Sequence, residues 1–77
     1  MAFRITWFKA HYPAAFYKVY FEVNNEFAGI DFMSLDIDET LKQLAEIEAK
    51  SDEETSFRDK DMRLLLEMRL EMLGRGL

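Results

Sequence analysis

The only proline of this sequence, Pro13, divides the N-terminal part of the chain into two helical segments. Proline disfavours helical backbone at the preceding residue, here Tyr12, and suits the first turn of a new helix. Apolar side chains recur at helical spacing on both sides, over residues 2–11 and 16–23. We therefore predict one helix before a break at Pro13 and a second, largely buried helix that ends at the asparagine pair 24–25.

Two more helices are predicted after an irregular segment at 26–35. Asp36 and Glu39 have the spacing of a capping box, and the helix that they begin should run to about Lys50. Its predicted apolar stripe is Ile37, Leu41, Leu44 and Ile47.

The last helix follows the polar linker at 51–56. Ser56 and Asp59 repeat the N-terminal signal, and a glycine, Gly74 or Gly76, ends the helix. Its apolar stripe is Met62, Leu65, Leu66, Leu70 and Leu73. The sequence thus predicts an all-α fold, a small bundle of about four helices in a single domain over residues 1–77.

Chain length limits how much apolar surface the fold can bury. A chain of 77 residues buries only about 60 to 65 per cent of its unfolded surface, and without cysteine it has no disulfide to support a small core. No apolar run approaches the ~18 residues of a membrane span. We expect a cytoplasmic protein with no membrane partner.

Charge is distributed unevenly around a net value of −5. Residues 1–20 carry +3 with no acid, residues 21–55 carry −9, and residues 56–77 carry +1. Because the acidic middle repels phosphate, the chain is not a general nucleic-acid binder. Any contact with nucleic acid should come from the first two helices or from the last one.

Candidate catalytic and metal-binding residues are missing. His11 has no second histidine and no cysteine with which to form a zinc site. The acidic "DIDE" at 36–39 lacks the glycine and the distal glutamate of a calcium loop. No serine lies beside a base. We predict no catalytic residue, no metal site and no cofactor within this segment.

Two patterns allow more than one interpretation. The basic, aromatic stretch "RITWFKAHYPAAFYKVYF" at 4–21 could stack on bases while its cations neutralise phosphates, but rings at helical spacing more often form a core. The Met and Leu stripe of the last helix could be a partner groove, although intramolecular packing is the commoner use.

The same stretch, 4–21, resembles a pattern of the bacterial C-family DNA polymerases, the DNA polymerase III alpha subunits. That pattern is an aromatic-rich "(Y/W)(F/L)K(A/V)H(Y/H)P" followed by an alanine and aromatic run. The segments "IDFMSLDIDETLKQLAEIEAK" and "DMRLLLEMRLEMLGRGL" are similar to the helices that follow it in the PolC type. The resemblance therefore covers nearly the whole chain.

The resemblance implies a position at the end of the polymerase fingers region. The family's nucleotide-binding helix would precede it and its helix-hairpin-helix module would follow. The palm aspartates that hold magnesium in the parent polymerase have no counterpart here, so no catalytic residue is carried over. The basic positions that match are the nucleic-acid-binding candidates Arg4, Lys9, His11 and Lys18. Departures from the PolC pattern at Asn24, Asn25, Ala28 and Gly29 argue against DNA contact through that loop.

Two functional hypotheses follow. The first is a fingers-region segment that is inactive alone, with weak contact to primer-template DNA and with the remaining polymerase domains as partners. The alternative is a stand-alone helical interaction module whose partner lies on the Met and Leu face of the last helix. In both, the rings of Trp7, Phe8, Phe16 and Tyr20 are expected to lack cover, which predicts a homo-oligomer when the chain is isolated.

Overall fold

The computed structural model describes the backbone of residues 2–77 and the side chains of residues 5–77. Within that part the helices are α1 (Ala2–His11), α2 (Pro13–Ala28), a single 3₁₀ turn (Phe32–Ser34), α3 (Ile37–Glu48) and α4 (Phe57–Gly74), with no strand. The predicted all-α bundle with a break next to Pro13 is confirmed.

The helix α4 is central to the packing. It packs against α3, α2 and the 3₁₀ turn, whereas within the described residues α1 packs against α2 alone. The most completely buried large side chains come from α2, the 3₁₀ turn, α3 and α4: Tyr17, Phe21, Phe32, Thr40 and Leu66. Of the predicted stripe of α4, Met62, Leu65 and Leu66 are in this core. Intramolecular packing is therefore the use of these three side chains, while Leu70 and Leu73 are partly exposed.

The end of α2 lies beyond the predicted asparagine pair. Asn24 stays helical and its Nδ2 donates to the Tyr20 carbonyl at 2.8 Å. Asn25 Oδ1 accepts a hydrogen bond from the Phe32 backbone N–H at 3.1 Å, which ties the helix to the 3₁₀ turn. Gly29 ends the helix, because it adopts a left-handed conformation (φ 71°) that favours glycine.

The prediction that α2 is largely buried was wrong. Only Tyr17, Phe21 and Ala28 of this helix are buried, while Val19 is 52% and Val23 74% exposed. The reason is the number of neighbours: α1, α4 and the 3₁₀ turn cover part of the helix, and α3 does not pack against it within the described chain.

The stripe predicted for α3 was also partly wrong. Ile37 and Leu41 are each 49% exposed, and the buried side chains are Thr40 and Leu44. Thr40 can be buried because its hydroxyl donates to the Asp36 carbonyl at 2.6 Å. Asp36 caps the helix as predicted, accepting from the Glu39 N–H at 2.8 Å.

The capping box predicted for α4 is confirmed in both directions. The Asp59 N–H donates to Ser56 Oγ, and the Ser56 N–H donates to Asp59 Oδ2, each at 3.1 Å. Lys50, just after α3, donates to the same carboxylate at 2.9 Å. Asp59 therefore caps α4 and also forms an ion pair with Lys50, and these contacts join the two ends of the linker.

Two arginines of α4 hold the connection between α2 and α3. Arg58 Nη2 donates to the last carbonyl of α2, Ala28 O, at 3.0 Å. Arg69 is only 7% exposed, and it donates from Nε to Leu35 O at 3.1 Å and from Nη2 to Met33 O at 3.0 Å. Burial lowers the pKa of the Arg69 guanidinium, and the Asp31 carboxylate opposes that shift.

We predict that Arg69→Met destabilises the fold by about 2 to 4 kcal/mol, because it leaves the Met33 and Leu35 carbonyls without their donor. The free energy of unfolding would be measured by urea denaturation with circular dichroism. Arg63→Met is the matched control on the same helix, since Arg63 is exposed and pairs only with Glu67 at 3.2 Å. Arg63→Met should lower the free energy of unfolding by less than about 0.5 kcal/mol. An equal loss in the two variants would contradict the role given to Arg69.

A second prediction concerns acid. The Lys50 ammonium, and then the Ser56 N–H, lower the pKa of Asp59 below its ordinary value of 3.8. A depressed pKa in the folded state stabilises the fold above the unfolded pKa, and that contribution disappears as the pH falls through the folded pKa. The melting temperature of the wild type should therefore exceed that of Asp59→Asn above about pH 5, and the gap should close in stronger acid. Asp52→Asn, in the exposed linker, is the control and should show no such gap.

Candidate nucleic-acid surface

The junction between α1 and α2 is a single non-helical residue, Tyr12, with φ −133° and ψ 63°. Its N–H donates to the Phe8 carbonyl at 2.8 Å, and its own carbonyl accepts from the Phe16 N–H at 2.9 Å. Pro13, which has no N–H to lose, occupies the first turn of α2. The junction is therefore short and hydrogen-bonded on both sides, which places the rings of α1 against those of α2.

One group of rings runs from α1 into the core. Phe8 meets Phe16 edge-on with ring centroids 6.2 Å apart, and Phe16 meets Tyr17 at 5.6 Å. Tyr17 stacks with Phe21 at 6.2 Å, and Phe21 with Phe32 at 5.4 Å. For the buried rings of this stretch, Tyr17 and Phe21, the interpretation as core packing is confirmed.

A second group of rings faces solvent at the junction. Trp7 and His11 stack with centroids 4.5 Å apart and planes 22° apart, and Tyr12 lies 5.9 Å from Trp7. The His11 Nδ1 donates to the Trp7 carbonyl at 2.9 Å, which fixes the imidazole along the helix. Trp7 is 50% exposed and Tyr12 56% exposed. These outer rings are not part of the core.

The basic candidates lie in different settings. Lys9 is half-buried, with Nζ 5.7 Å from the Phe16 ring centroid and 5.6 Å from that of Tyr17, so part of its charge is satisfied by cation–π contact. His11 shares the last turn of α1 with Lys9 and is exposed, and Lys18 is exposed on α2. The side chain of Arg4 lies outside the described residues.

The buried hydroxyl of Tyr17 is a feature that helical periodicity did not predict. It is enclosed and makes no hydrogen bond. Burial raises the pKa of Tyr17, and the carboxylate of Glu71 on α4 adds to the shift, while Arg75 opposes it. Periodicity alone assigns this residue to the core without showing which charges its hydroxyl would meet.

An apolar groove lies between α1 and α2, with a volume of about 420 Å³. Its apolar lining is Ile5, Phe8, Phe16, Val19, Tyr20 and Val23. Phe8 and Phe16 are half-buried and Tyr20 is 40% exposed, so these rings are incompletely covered, as the sequence led us to expect.

The acidic helix α3 lies apart from this surface, whereas Glu22 and Glu26 are on α2 itself. The helix α3 packs against α4 and does not pack against α1 or α2 within residues 2–77. The exposed lysine and histidine of the junction therefore lie on a part of the fold that α3 does not adjoin. In the described side chains, no group of three or more His, Cys, Asp or Glu residues could hold a metal ion. None of the described helices is long and apolar enough to cross a membrane.

Comparison with known proteins gives one consistent result. The chain is 39% identical over 77 residues to the PolC-type DNA polymerase III of Caldanaerobacter subterraneus, 38% over 76 residues to that of Oceanobacillus iheyensis, and 35% over 77 residues to that of Streptococcus sanguinis. These matches cover 99 to 100% of this chain but only 5% of each relative.

No protein-family model matches the chain, and no solved structure gives a significant match. The PolC-type relatives therefore carry the assignment. By its similarity over the whole of its length, the chain is a fragment or a short relative of the PolC-type DNA polymerase III family.

Proposed function

We propose that the chain corresponds to the late fingers region of a PolC-type DNA polymerase III, where it contacts primer-template DNA and is not catalytic by itself. The observation that carries the proposal is the 38 to 39% identity to PolC-type polymerases over nearly every residue of the chain. The remaining polymerase domains would be its partners, and DNA synthesis would take place in the cytoplasm.

The charge distribution supports a DNA contact through α1 and α2. Residues 1–20 contain three cations and no acid, and the acidic α3 does not adjoin them. Lys18 is exposed and can reach a phosphate directly, whereas Lys9 would have to exchange its ring contacts for one. The magnesium site of the parent enzyme would belong to palm residues elsewhere, as the resemblance implies.

We predict that Lys18→Ala flattens the salt dependence of DNA binding. Each phosphate contact contributes a slope of about −0.9 in log K against log salt, so one lost contact reduces the slope by about that amount. The measurement is fluorescence anisotropy of a labelled primer-template duplex titrated with the 77-residue chain between about 50 and 200 mM salt. Lys9→Ala should have a similar effect if its ammonium leaves the rings for a phosphate.

Lys42→Ala is the matched control, because Lys42 is an exposed lysine on the acidic helix α3. It removes the same charge without touching α1 or α2, so its slope should equal that of the wild type. An equal loss in Lys42→Ala and Lys18→Ala would show only a net-charge effect. Absence of salt-dependent binding would contradict the DNA contact.

A second candidate function is self-association through the apolar groove. The groove between α1 and α2 is the observation that favours it, together with the 74% exposure of Val23 at its edge. A second copy would remove these side chains from water, and apolar burial of this kind drives protein association. The partner surface would then be the groove and not the Met and Leu face of α4, which the core already uses.

We expect a dimer or a higher oligomer in sedimentation equilibrium at roughly 100 micromolar protein, a concentration that populates assemblies of micromolar Kd. Val23→Asp should shift the mass toward the monomer, because it places a charge in the groove. Leu41→Asp is the control, since Leu41 is 49% exposed on α3 and lies outside the groove. A monomer mass for the wild type would contradict self-association.

A further inference from the structure

We propose that the outer rings at the α1–α2 junction, Trp7, His11 and Tyr12, form a stacking platform for an unpaired base of single-stranded nucleic acid. This inference rests on the proposed DNA contact and deepens it by naming the chemistry that meets the base.

The geometry of the platform favours stacking. Trp7 and His11 are already parallel to within 22° at 4.5 Å, so an incoming base would extend an existing stack. Tyr12 stands tilted by 59° beside Trp7 and supplies a second exposed ring. Aromatic side chains of this kind accept any base, because every base has a π-face.

The platform is held in place before any ligand arrives. The hydrogen bond from His11 Nδ1 to the Trp7 carbonyl fixes the imidazole on which Trp7 stacks, and hydrogen bonds to Phe8 and Phe16 fix the backbone of Tyr12. Part of the conformational freedom is therefore already lost before a base stacks, and preorganisation of this kind favours binding.

The charge of the N-terminal segment favours a nucleic acid as the ligand. Residues 1–20 contain Arg4, Lys9 and Lys18 and no acid. Lys9 is two positions from both Trp7 and His11, so it lies on the other face of α1, over the Phe16 and Tyr17 rings. Basic charge together with exposed rings is the combination used to bind single strands.

The platform is distinct from the apolar groove. None of Trp7, His11 and Tyr12 lines the groove, whose lining is aliphatic and phenyl apart from Tyr20 and Asn24. The platform rings also carry polar edges, an indole N–H, an imidazole and a phenol, which suit the polar rim of a base better than an aliphatic helix face. We therefore assign the groove to apolar packing and the platform to a base.

The test uses Trp7 as its own reporter, because it is the only tryptophan of the chain. The 77-residue chain, at a fixed low concentration, is titrated with a short oligothymidylate and with an abasic oligonucleotide of the same length and charge. The thymine strand should quench Trp7 fluorescence and bind more tightly, whereas the abasic strand should bind weakly and leave the fluorescence unchanged.

Variants then locate the contact by anisotropy of a labelled oligothymidylate. Trp7→Ala should weaken binding roughly 5- to 150-fold, the range for the loss of one base–aromatic stack, while Trp7→Phe should keep most of the affinity. Phe57→Ala is the matched control: Phe57 is 85% exposed and has Lys60 5.4 Å from its ring, but it lies outside the platform. Its affinity should equal that of the wild type.

Equal affinity for the two strands without quenching would overturn the platform, and so would unchanged binding in Trp7→Ala. If Trp7→Ala fails to fold by circular dichroism, the strand comparison on the wild type decides the question. Fluorescence that responds to protein concentration and not to the thymine strand would instead assign these rings to a protein contact. The salt slope of Lys18→Ala on duplex DNA is independent of all these results, so the two proposals can fail separately.

Discussion

The guanidinium of Arg69 enters the protein from α4 and ends on the carbonyls of Met33 and Leu35, in the segment between α2 and α3. A buried arginine that makes no direct ion pair within the described residues is stable only when its N–H groups find acceptors, and an irregular segment offers the free carbonyls that a helix does not. The contact therefore provides acceptors for the buried guanidinium and a donor for the two free carbonyls. It fixes the 3₁₀ turn, whose buried Phe32 stacks on Phe21 of α2, while α4 packs on both the turn and α2.

With that centre fixed, the basic and the acidic helices do not adjoin each other. Within the described residues, the acidic helix α3 packs on α4, and the basic, aromatic helix α1 packs on α2 alone. Carboxylates repel phosphate groups. A chain whose net charge is −5 can therefore contact nucleic acid only through a surface that lies apart from most of its carboxylates. This packing also leaves α1, a helix of ten residues, with a single neighbour, and a helix of that length is marginal without tertiary packing.

The positions of the rings in α1 and α2 also separate the proposed contacts from one another. The aromatic residues of α1 and α2 divide into inner rings that form the core, groove rings such as Phe8 and Tyr20, and the outer rings around Trp7. Each class faces a different environment, and so each can serve a different contact. The PolC-type relatives are about twenty times longer than the matched segment, since the match covers 5% of each.

Much of the local structure was determined by the sequence alone. The break at Pro13, the caps at Asp36 and Ser56 and the all-α class follow from backbone preferences that act over a few residues, and the polymerase resemblance follows from residue identity. Burial was decided only by the tertiary structure. Periodicity shows which residues share a face, but not whether another helix covers that face, so it overestimated the burial of α2 and could not foresee a buried Arg69. In the outer ring platform, the Trp7–His11 stack is an i, i+4 contact inside α1, whereas the position of Tyr12 beside it depends on the junction between α1 and α2.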